Sequence, residues 1–401
     1  MRGFLRRIAG ASSLQPPMSN FSRILAIYEK FERLVTKLPG PLQKPILAEL
    51  EPVKKLFLLK RAPRIVLLGQ SGAGRTHLVN AFFDAEVLRP HEGGGECIGW
   101  QSITRTGRGT IRLLDARRPA TMANIRAALS GEAPDIFLFL RTSPEIDGEL
   151  AEDLDRCVEI VQFADLRHDA RPAIVGLLVK EHDGDAAIAR EQLHAALLTK
   201  PQIDDRLAAT LTIAPFLRFR IDGTIDTSRD ERENMDRLAQ LIAEELPEEA
   251  RLEMARLCGV RPVQEKIAQT LNKSVTAICT AIGTQPIPIA DFPVLTALQV
   301  MLVAGIGYIS GRELSTKAAA EFLAALGANI GAGLVLREGA RALLKLLPGW
   351  GNAISGAIAG AGTYAMGRAA TAYFIEGVSL PDARRLFRRN KRASRRTLPP
   401  A

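Results

Sequence analysis

The chain has few cysteines, few histidines and few aromatic side chains for its length. Its 401 residues include four cysteines and five histidines, and neither type clusters or shows a Cys-x-x-Cys spacing. This scatter argues against a zinc site or a disulfide framework and suits a reducing compartment. Aromatic residues make up only 5% of the chain, which leaves little base stacking for a nucleic acid. The basic start of the chain lacks an apolar core of signal-peptide length, so we expect no secretory signal.

The excess of basic over acidic residues is concentrated at the two ends of the chain. The formal net charge is +9, yet residues 381–401 hold eight Lys or Arg against one Asp, and residues 1–17 hold three Arg. The chain between them is therefore close to neutral. A basic end of this kind suits anionic lipid headgroups or a nucleic acid, or is a solvated tail. Because aromatic residues are few, we do not expect nucleic acid as the partner.

The most informative stretch is GQSGAGRT, residues 69–76. It follows an apolar run at residues 64–68 and precedes a helical pattern at residues 77–83, which is the setting of a phosphate-binding loop. Glycines there let backbone N–H groups turn toward phosphate oxygens, and the start of the next helix adds the positive end of its dipole. The pattern expects Lys before the final Ser or Thr. Arg75 stands in that place, with a planar guanidinium instead of a compact ammonium charge.

This loop and two later residues are predicted to hold a nucleotide with Mg²⁺. Thr76 offers a hydroxyl, and Asp115, which ends the apolar run at residues 111–114, offers a carboxylate, so both are predicted metal ligands. Lys180 follows the run at residues 174–179 and is the candidate to stack over a base. We predict no catalytic residue. The predicted nucleotide-binding residues are Gly69, Ser71, Gly72, Ala73, Gly74, Arg75, Thr76, Asp115 and Lys180.

Other interpretations of these residues stay open. The loop fits a strand-to-helix turn that binds nothing, and it partly fits the Gly-x-Ser-x-Gly elbow of hydrolases with Ser71 as nucleophile, although Ala73 breaks that pattern. Asp115 also fits a capping residue at a strand end. Residues 116–118 lack the glycine that senses a γ-phosphate, and residues 179–183 displace by one position the acid that selects guanine.

Short apolar runs alternate with helical patterns between residues 62 and 247. This alternation predicts an α/β domain with a mostly parallel sheet, covered by helices on both faces. A ligand is then expected at the carboxyl ends of the strands, where residues 69–76 lie. The predicted strands are residues 65–68, 102–106 at an edge, 111–114, 136–140, 174–179 and 211–219.

After about residue 245 the pattern is helical, and from residue 286 the composition is rich in Ala and Gly. Uncharged runs at residues 292–311 and 346–367 reach bilayer-spanning length, although Gly, Ser, Thr and Asn weaken them as spanning segments. Both a water-soluble bundle and a membrane-inserted or membrane-attached domain stay open. Glycines four residues apart predict helices that approach closely. These pairs are Gly307 and Gly311, Gly327 and Gly331, and Gly356 and Gly360.

The order of elements resembles the Era/TrmE-like GTPases, and more closely a bacterial group that joins such a domain to a YcjF-like C-terminal domain of unknown function. The first resemblance, over residues 62–247, is carried by residues 69–76 and Asp115. The second, over residues 255–380, is carried by motifs at residues 285–299, 327–333 and 348–351. The resemblance implies GTP or GDP with Mg²⁺ as ligands and the membrane or a membrane protein as partner. The implied location is the cytoplasmic face of the bacterial inner membrane, with the cytoplasm as the alternative.

The predicted fold is a P-loop GTPase-like α/β domain followed by an all-α, Ala/Gly-rich C-terminal domain. The predicted function is a GTPase-like nucleotide-binding switch coupled to a membrane-associated helical domain, at most a slow GTPase, with weak or absent hydrolysis. The alternative is a pseudo-GTPase interaction scaffold that binds no nucleotide, and a homo-oligomer stays open in either case. The predicted segments are a disordered extension at residues 1–19, a helical segment at 20–61, the P-loop GTPase-like domain at 62–247, connecting helices at 248–284, the YcjF-like helical domain at 285–380 and a basic tail at 381–401.

Overall fold

A computed structural model describes most of the chain. The described residues are 33, 36, 40–89, 99–142, 147–180, 186–220, 224–283, 291–327 and 351–396. Several sequence predictions lie outside these residues: the extension at residues 1–19, most of the helical segment before residue 40, the displaced acid at residues 181–183, Gly331 and the motif residues 285–290, 328–333 and 348–350.

Strands and helices alternate through the first half of the described chain, and helices follow. The strands are β1 Arg64–Gly69, β2 Gln101–Arg105, β3 Gly109–Asp115, β4 Ile136–Arg141, β5 Ala173–Val179 and β6 Leu207–Ile213. The α-helices of the described ranges are α1 Gly40–Phe57, α2 Arg75–Phe83, α3 Met122–Gly131, α4 Gly148–His168, α5 Ala186–Leu198, α6 Pro201–Asp204, α7 Met235–Glu245, α8 Glu248–Cys258, α9 Arg261–Gly283, α10 Asp291–Ile309, α11 Thr316–Ala325, α12 Gly351–Phe374 and α13 Leu380–Arg396.

The six strands form one sheet in the order β2-β3-β1-β4-β5-β6. All neighbouring pairs are parallel except β2 and β3, so the sheet is mostly parallel with β2 as an antiparallel edge strand. The predicted α/β fold and the predicted edge strand are therefore confirmed. The chain places β3 on one side of β1 and β4 on the other, so the strand order reverses at β1. In open α/β sheets, ligands bind at the carboxyl ends of the strands beside such a reversal.

Strands β1, β4 and β5 are nearly continuous apolar runs because both faces of the sheet are buried there. In β1, Ile65 and Leu67 belong to one hydrophobic cluster, and Val66 and Leu68 belong to the cluster on the opposite face. Helices α3 to α6 contribute to the second cluster, whereas α1, α2 and α7 to α13 contribute to the first. Strands covered on both faces lose the polar alternation of half-exposed strands. The first cluster continues from the sheet into the later helices.

The position predicted for the last strand was wrong. The prediction covered residues 211–219, whereas β6 begins at Leu207 and ends at Ile213. Pro215 has no backbone N–H to continue the ladder, and the chain beyond β6 pairs through an isolated bridge from Ala214 to Glu233. After Leu207, the first half of β6 consists of the small or polar residues Ala208, Ala209 and Thr210, so an apolar run does not mark it in the sequence.

Helix α10 contains most of the uncharged run at residues 292–311, and neighbouring helices bury its side chains. Leu302, Val303 and Ile306 are fully buried in the first hydrophobic cluster. Within the ranges that the structure describes, no helix combines the length and the hydropathy needed to cross a membrane.

Close helix packing is confirmed for Gly360, one of the predicted glycines. It also involves Gly367, which belongs to none of the predicted pairs. A Cβ on Gly360 or on Gly367 of α12 would come within 3.0 Å of a side-chain oxygen of α9. A Cβ on Gly307, in contrast, would lie 4.0 Å from the ring of Phe374, at an ordinary contact distance. The small residues that let α12 approach α9 are thus spaced seven apart, so they share one face of the helix.

Alanine substitutions on α12 are expected to have opposite effects at two glycines. Gly362 has open space where a Cβ would stand, so Gly362→Ala should stabilise the protein by about 0.5–1 kcal/mol through helix propensity. Gly367 faces the side chain of Asn272, which is 2% exposed and donates to Tyr364 O at 3.2 Å. Gly367→Ala should therefore destabilise the protein by about 1–3 kcal/mol. Urea unfolding of both variants measures this, and effects of the same sign would contradict the packing of α12 on α9.

Candidate functional site

The loop between β1 and α2 turns sharply because three glycines adopt left-handed backbone conformations. The φ angles of Gly69, Gly72 and Gly74 are +90°, +79° and +75°. At Gly69 the backbone also passes so close to β4 that a Cβ would come within 3.0 Å of the carbonyl oxygen of Leu140. Only glycine meets both conditions without strain. The sequence GQSGAGRT therefore folds into the tight turn predicted from its glycines.

Gln70 fixes this loop to the end of β4. Its backbone N–H donates to Leu140 O at 2.9 Å, and its side-chain Oε1 accepts from both the backbone N–H and the hydroxyl of Thr142 at 3.0 Å. These bonds hold the loop at the carboxyl edge of the central strands. This role of Gln70 could not be predicted from the sequence, because Gln70 stands at a position where the loop motif accepts any residue.

The first turn of α2 presents unused backbone donors at the loop. Helix α2 begins at Arg75 without a side-chain cap, and the first bond back into the loop is Leu78 N–H to Gly74 O at 2.9 Å. Across the described residues, no acceptor is assigned to the backbone N–H groups of Arg75, Thr76 and His77. Uncapped N–H groups and the positive end of the helix dipole together favour an anion at this position.

The other residues predicted in the loop differ in their accessibility. Ser71 and Gly72 are exposed, Gly74 and Thr76 are half-buried, and Ala73 is fully buried. Ala73 is therefore a packing residue, and its buried methyl group leaves only its backbone for ligand binding. The side chain of Thr76 remains accessible beside the start of α2.

Arg75 lies between the loop and strands β2 and β3. Its Nη2 donates to the side chain of Gln101 on β2, and its Nη1 is 3.7 Å from Oδ2 of Asp115 at the end of β3. The side chain is 11% exposed, and its buried Nε has no hydrogen-bond partner within the described part of the chain. The structure thus brings Arg75 and Asp115 together and places Gln101 beside them.

Asp115 is paired with Arg117, which the sequence did not indicate as a residue of the site. Arg117 donates from Nε to Oδ1 at 2.8 Å and from Nη2 to Oδ2 at 2.9 Å, and its Nη1 donates to Gln70 O at 3.2 Å. Burial raises the pKa of the Asp115 carboxyl, but the ion pair with Arg117 and the nearby charge of Arg75 outweigh it and lower the pKa overall. The carboxylate is therefore charged at neutral pH and already neutralised by arginine.

This carboxylate does not fit the Mg²⁺ role predicted for it. Mg²⁺ needs oxygen ligands in near-octahedral geometry at about 2.0–2.1 Å, whereas both oxygens of Asp115 accept from Arg117, with Arg75 close by. A divalent cation there would face two guanidinium charges. Among the described residues, no group of three or more His, Cys, Asp or Glu side chains is arranged to hold a metal ion. In this structure both oxygens of Asp115 are engaged by arginine, so the carboxylate is not open to a metal ion.

The segment after Asp115 is fastened to α4. Arg156 donates from Nε to Ala116 O at 3.1 Å and from Nη2 to Ala120 O. Arg118, which replaces the expected glycine, forms ion pairs with three carboxylates of α4 at 2.8–3.3 Å, those of Glu149, Glu152 and Asp153. The chain from residue 116 to residue 120 is therefore held by a neighbouring helix on its backbone and its side chains.

Lys180 directly follows β5, whose last residue borders the glycine-rich loop. Its Nζ is 3.8 Å from Oε1 of Glu233, and its backbone N–H donates to Ile213 O at 2.8 Å. Val179, the residue before it, borders Gly74 at 3.5 Å from where a Cβ would stand. Lys180 thus follows a strand end that touches the loop, which is where a base-stacking side chain would be placed.

Arg141 is a further buried cation at this edge of the sheet. It ends β4, is 1% exposed, and donates from Nη2 to both carboxylate oxygens of Asp147 at 2.8 Å. Asp147 also caps α4 through the Leu150 N–H at 2.7 Å. Arginines 75, 117 and 141 therefore lie at or beyond the carboxyl ends of three adjacent strands. Only Arg141 comes directly after its apolar run, whereas Arg117 comes two residues after Asp115 and Arg75 six residues after the end of β1.

The fold and the loop define an α/β protein with a glycine-rich turn and an uncapped helix start at the reversal point of its sheet. No protein-family model matches the chain, and a comparison with curated proteins finds no match. The resemblance to Era/TrmE-like GTPases and to a YcjF-like domain therefore stays a prediction.

Proposed function

We propose that this protein binds the phosphates of a nucleotide at residues 69–76, with GTP or GDP favoured by the resemblance, and hydrolyses it slowly or not at all. In this proposal the sheet and its helices are a P-loop GTPase-like domain, and the later helices are an all-α domain that attaches to a membrane. The observation that carries the nucleotide site is the start of α2, where three backbone N–H groups lack acceptors in the described chain behind a turn of left-handed glycines.

The proposal of weak hydrolysis is supported by the surroundings of Asp115. In GTPases a mobile segment after this acid responds to the γ-phosphate and positions the attacking water. Here the carboxylate is paired with Arg117, and residues 116–120 are bonded to α4 through Arg118 and Arg156. A segment held in this way is poorly suited to rearrange when a phosphate is bound or lost.

The second candidate function is the scaffold that binds no nucleotide. It is favoured by the internal pairing of the two arginines nearest the loop. Arg75 already contacts Gln101 and Asp115, and Arg117 contacts Asp115 and the carbonyl of Gln70. If those bonds are permanent, the guanidinium groups are not available to a phosphate.

Isothermal titration with GTP and with GDP distinguishes the two functions. The nucleotide proposal expects saturable binding at millimolar concentration or below, weakened at least about tenfold by Arg75→Ala because a charge-assisted contact to phosphate is lost. Arg126→Ala is the matched control, since Arg126 is an exposed arginine on α3 that pairs with Glu159. Absence of binding to folded protein would favour the scaffold.

The proposed membrane contact is the basic face of α13. The helix Leu380–Arg396 covers most of the basic tail predicted at residues 381–401, and on its apolar side Ala383 and Phe387 are buried. Arg384, Arg385, Arg388, Arg389 and Lys391 are exposed. With its apolar side already covered by protein, the helix offers a lipid surface mainly charge, so we propose peripheral electrostatic attachment.

Binding to lipid vesicles is expected to depend on anionic headgroups and on salt. The double variant R388E/R389E should weaken binding to phosphatidylglycerol vesicles at least about tenfold, since each basic residue near such a surface contributes about 1 kcal/mol. The matched control is R126E/R171E, which reverses two exposed arginines elsewhere. Cosedimentation measures both. Equal binding to neutral phosphatidylcholine vesicles, or equal binding of the two variants, would contradict this attachment.

A further inference from the structure

The pair of Asp115 and Arg117 is a built part of the site. Two hydrogen bonds at 2.8 and 2.9 Å join the side chains, and the Arg117 backbone N–H adds a third bond to Oδ1 at 3.3 Å. Arg117 is 6% exposed and Asp115 is 14% exposed. Removing a buried guanidinium from its carboxylate leaves both charges uncompensated. The pair therefore persists unless a ligand supplies an equivalent partner.

A phosphate group is such a partner for Arg117, whereas Mg²⁺ is not. Arg117 already reaches the loop through its bond to Gln70 O, and guanidinium groups bind phosphate oxygens in the same bidentate way as carboxylates. A divalent cation would need the oxygens of Asp115 and would be repelled by the guanidinium groups of Arg117 and Arg75. The local chemistry thus favours an anion that arrives without a metal.

Arg75 adds unused hydrogen-bonding capacity on the same side. Its Nε is buried and has no partner among the described residues, while its Nη1 lies 3.7 Å from Asp115. Two guanidinium groups against one carboxylate leave a net positive charge beside the open N–H groups of α2. In ordinary P-loop sites Mg²⁺ and a lysine share the task of offsetting phosphate charge. Here two arginines stand at that place.

We infer that the loop at residues 69–76 binds its nucleotide without Mg²⁺, with Arg75 and Arg117 offsetting the phosphate charge that the metal offsets elsewhere. This inference rests on the proposed function. It gives one explanation for two features of the site, Arg75 in place of lysine and Arg117 two residues after Asp115. It also gives a reason for the weak hydrolysis in the proposed function, because no Mg²⁺ would organise the phosphates.

Titration of the full-length protein with GDP, once with Mg²⁺ and once with EDTA, tests the inference. We expect dissociation constants that agree within about threefold. A larger loss of affinity in EDTA would overturn the metal-free site and leave the proposed nucleotide binding intact. Absence of binding in both buffers would instead refute the proposed function itself.

Asp115→Asn separates the two roles by the sign of its effect. If Asp115 only competes with phosphate for Arg117, removing its charge should tighten GDP binding several-fold in either buffer. If it holds Mg²⁺, the same change should weaken binding in the Mg²⁺ buffer, and that result would overturn the inference.

Arg117→Ala should release Asp115 for a metal ion, so that GDP affinity becomes at least about tenfold higher with Mg²⁺ than with EDTA. Arg118→Ala is the control, because Arg118 pairs with α4 and not with Asp115. Circular dichroism establishes that each variant is folded. The comparison of Mg²⁺ with EDTA on the unaltered protein holds even where a variant does not fold.

Discussion

Gly69→Ala is expected to destabilise the protein by about 2–5 kcal/mol. The left-handed φ of +90° costs a residue with a Cβ about 1–2 kcal/mol, and forcing an extra carbon into packed backbone costs about 1–3 kcal/mol more. The atom it meets is the carbonyl oxygen of Leu140, within 3.0 Å. That oxygen belongs to the central strand β4 and cannot move aside as a flexible side chain would. The free energy of unfolding in urea measures the loss.

Gly72→Ala is the matched control for Gly69→Ala. Gly72 has a similar φ of +79°, but nothing lies within 4 Å of where its Cβ would stand. Its substitution should therefore cost only the conformational part, about 1–2 kcal/mol. Equal losses for the two variants would show that the close approach of the loop to Leu140 does not exist.

Glu253→Ala is expected to cost about 3–5 kcal/mol, because it leaves the buried Arg256 and the half-buried Lys60 without their counter-charge. Glu253, on α8, accepts from Lys60 Nζ and from the Tyr308 hydroxyl at 3.0 Å each. Arg256 lies 3.5 Å from the same carboxylate and stacks over the ring of Tyr308. Urea unfolding again measures the loss. The cluster joins α8 to α10, and the Glu253 carboxylate also borders Gly109 at the start of β3.

The control for Glu253→Ala is Glu248→Ala on the same helix. Glu248 is an exposed residue whose carboxylate is 3.6 Å from Lys55 Nζ. Exposed pairs of this kind contribute about 0–1 kcal/mol, so this variant should be nearly as stable as the unaltered protein. If Glu253→Ala proved equally mild, the Lys60, Arg256 and Tyr308 cluster would not be a buried link between the sheet and the later helices.

Most of the sheet could be predicted from the sequence because its strands are buried on both faces. Such strands are short apolar runs, as in β1 and β4, and these are easy to recognise between turn residues. Strand β6 was misplaced because its first half lacks that run and the apolar residues after Pro215 belong to a loop. An apolar run indicates that residues are buried, not that they form a strand. At the last strand of the sheet, the buried residues and the strand residues are not the same.

The loop could be predicted because its glycines have a backbone cause that is local in the chain. The pairing of Asp115 with Arg117 could not be predicted with the same ease, although the two residues are only two apart. Arg118 occupies the glycine position of the expected motif, yet its side chain pairs with α4, whereas the side chain of Arg117 pairs with Asp115. Side-chain direction after a strand end depends on the backbone path, which no spacing rule supplies.

Hydrogen exchange at the start of α2 tests the central claim most directly, since that claim concerns backbone N–H groups and not side chains. We predict that millimolar GDP slows exchange of the amides of Arg75, Thr76 and His77, while amides of α3 on the far side of the sheet are unaffected. Unchanged exchange across residues 69–78 at the same concentration would contradict the account.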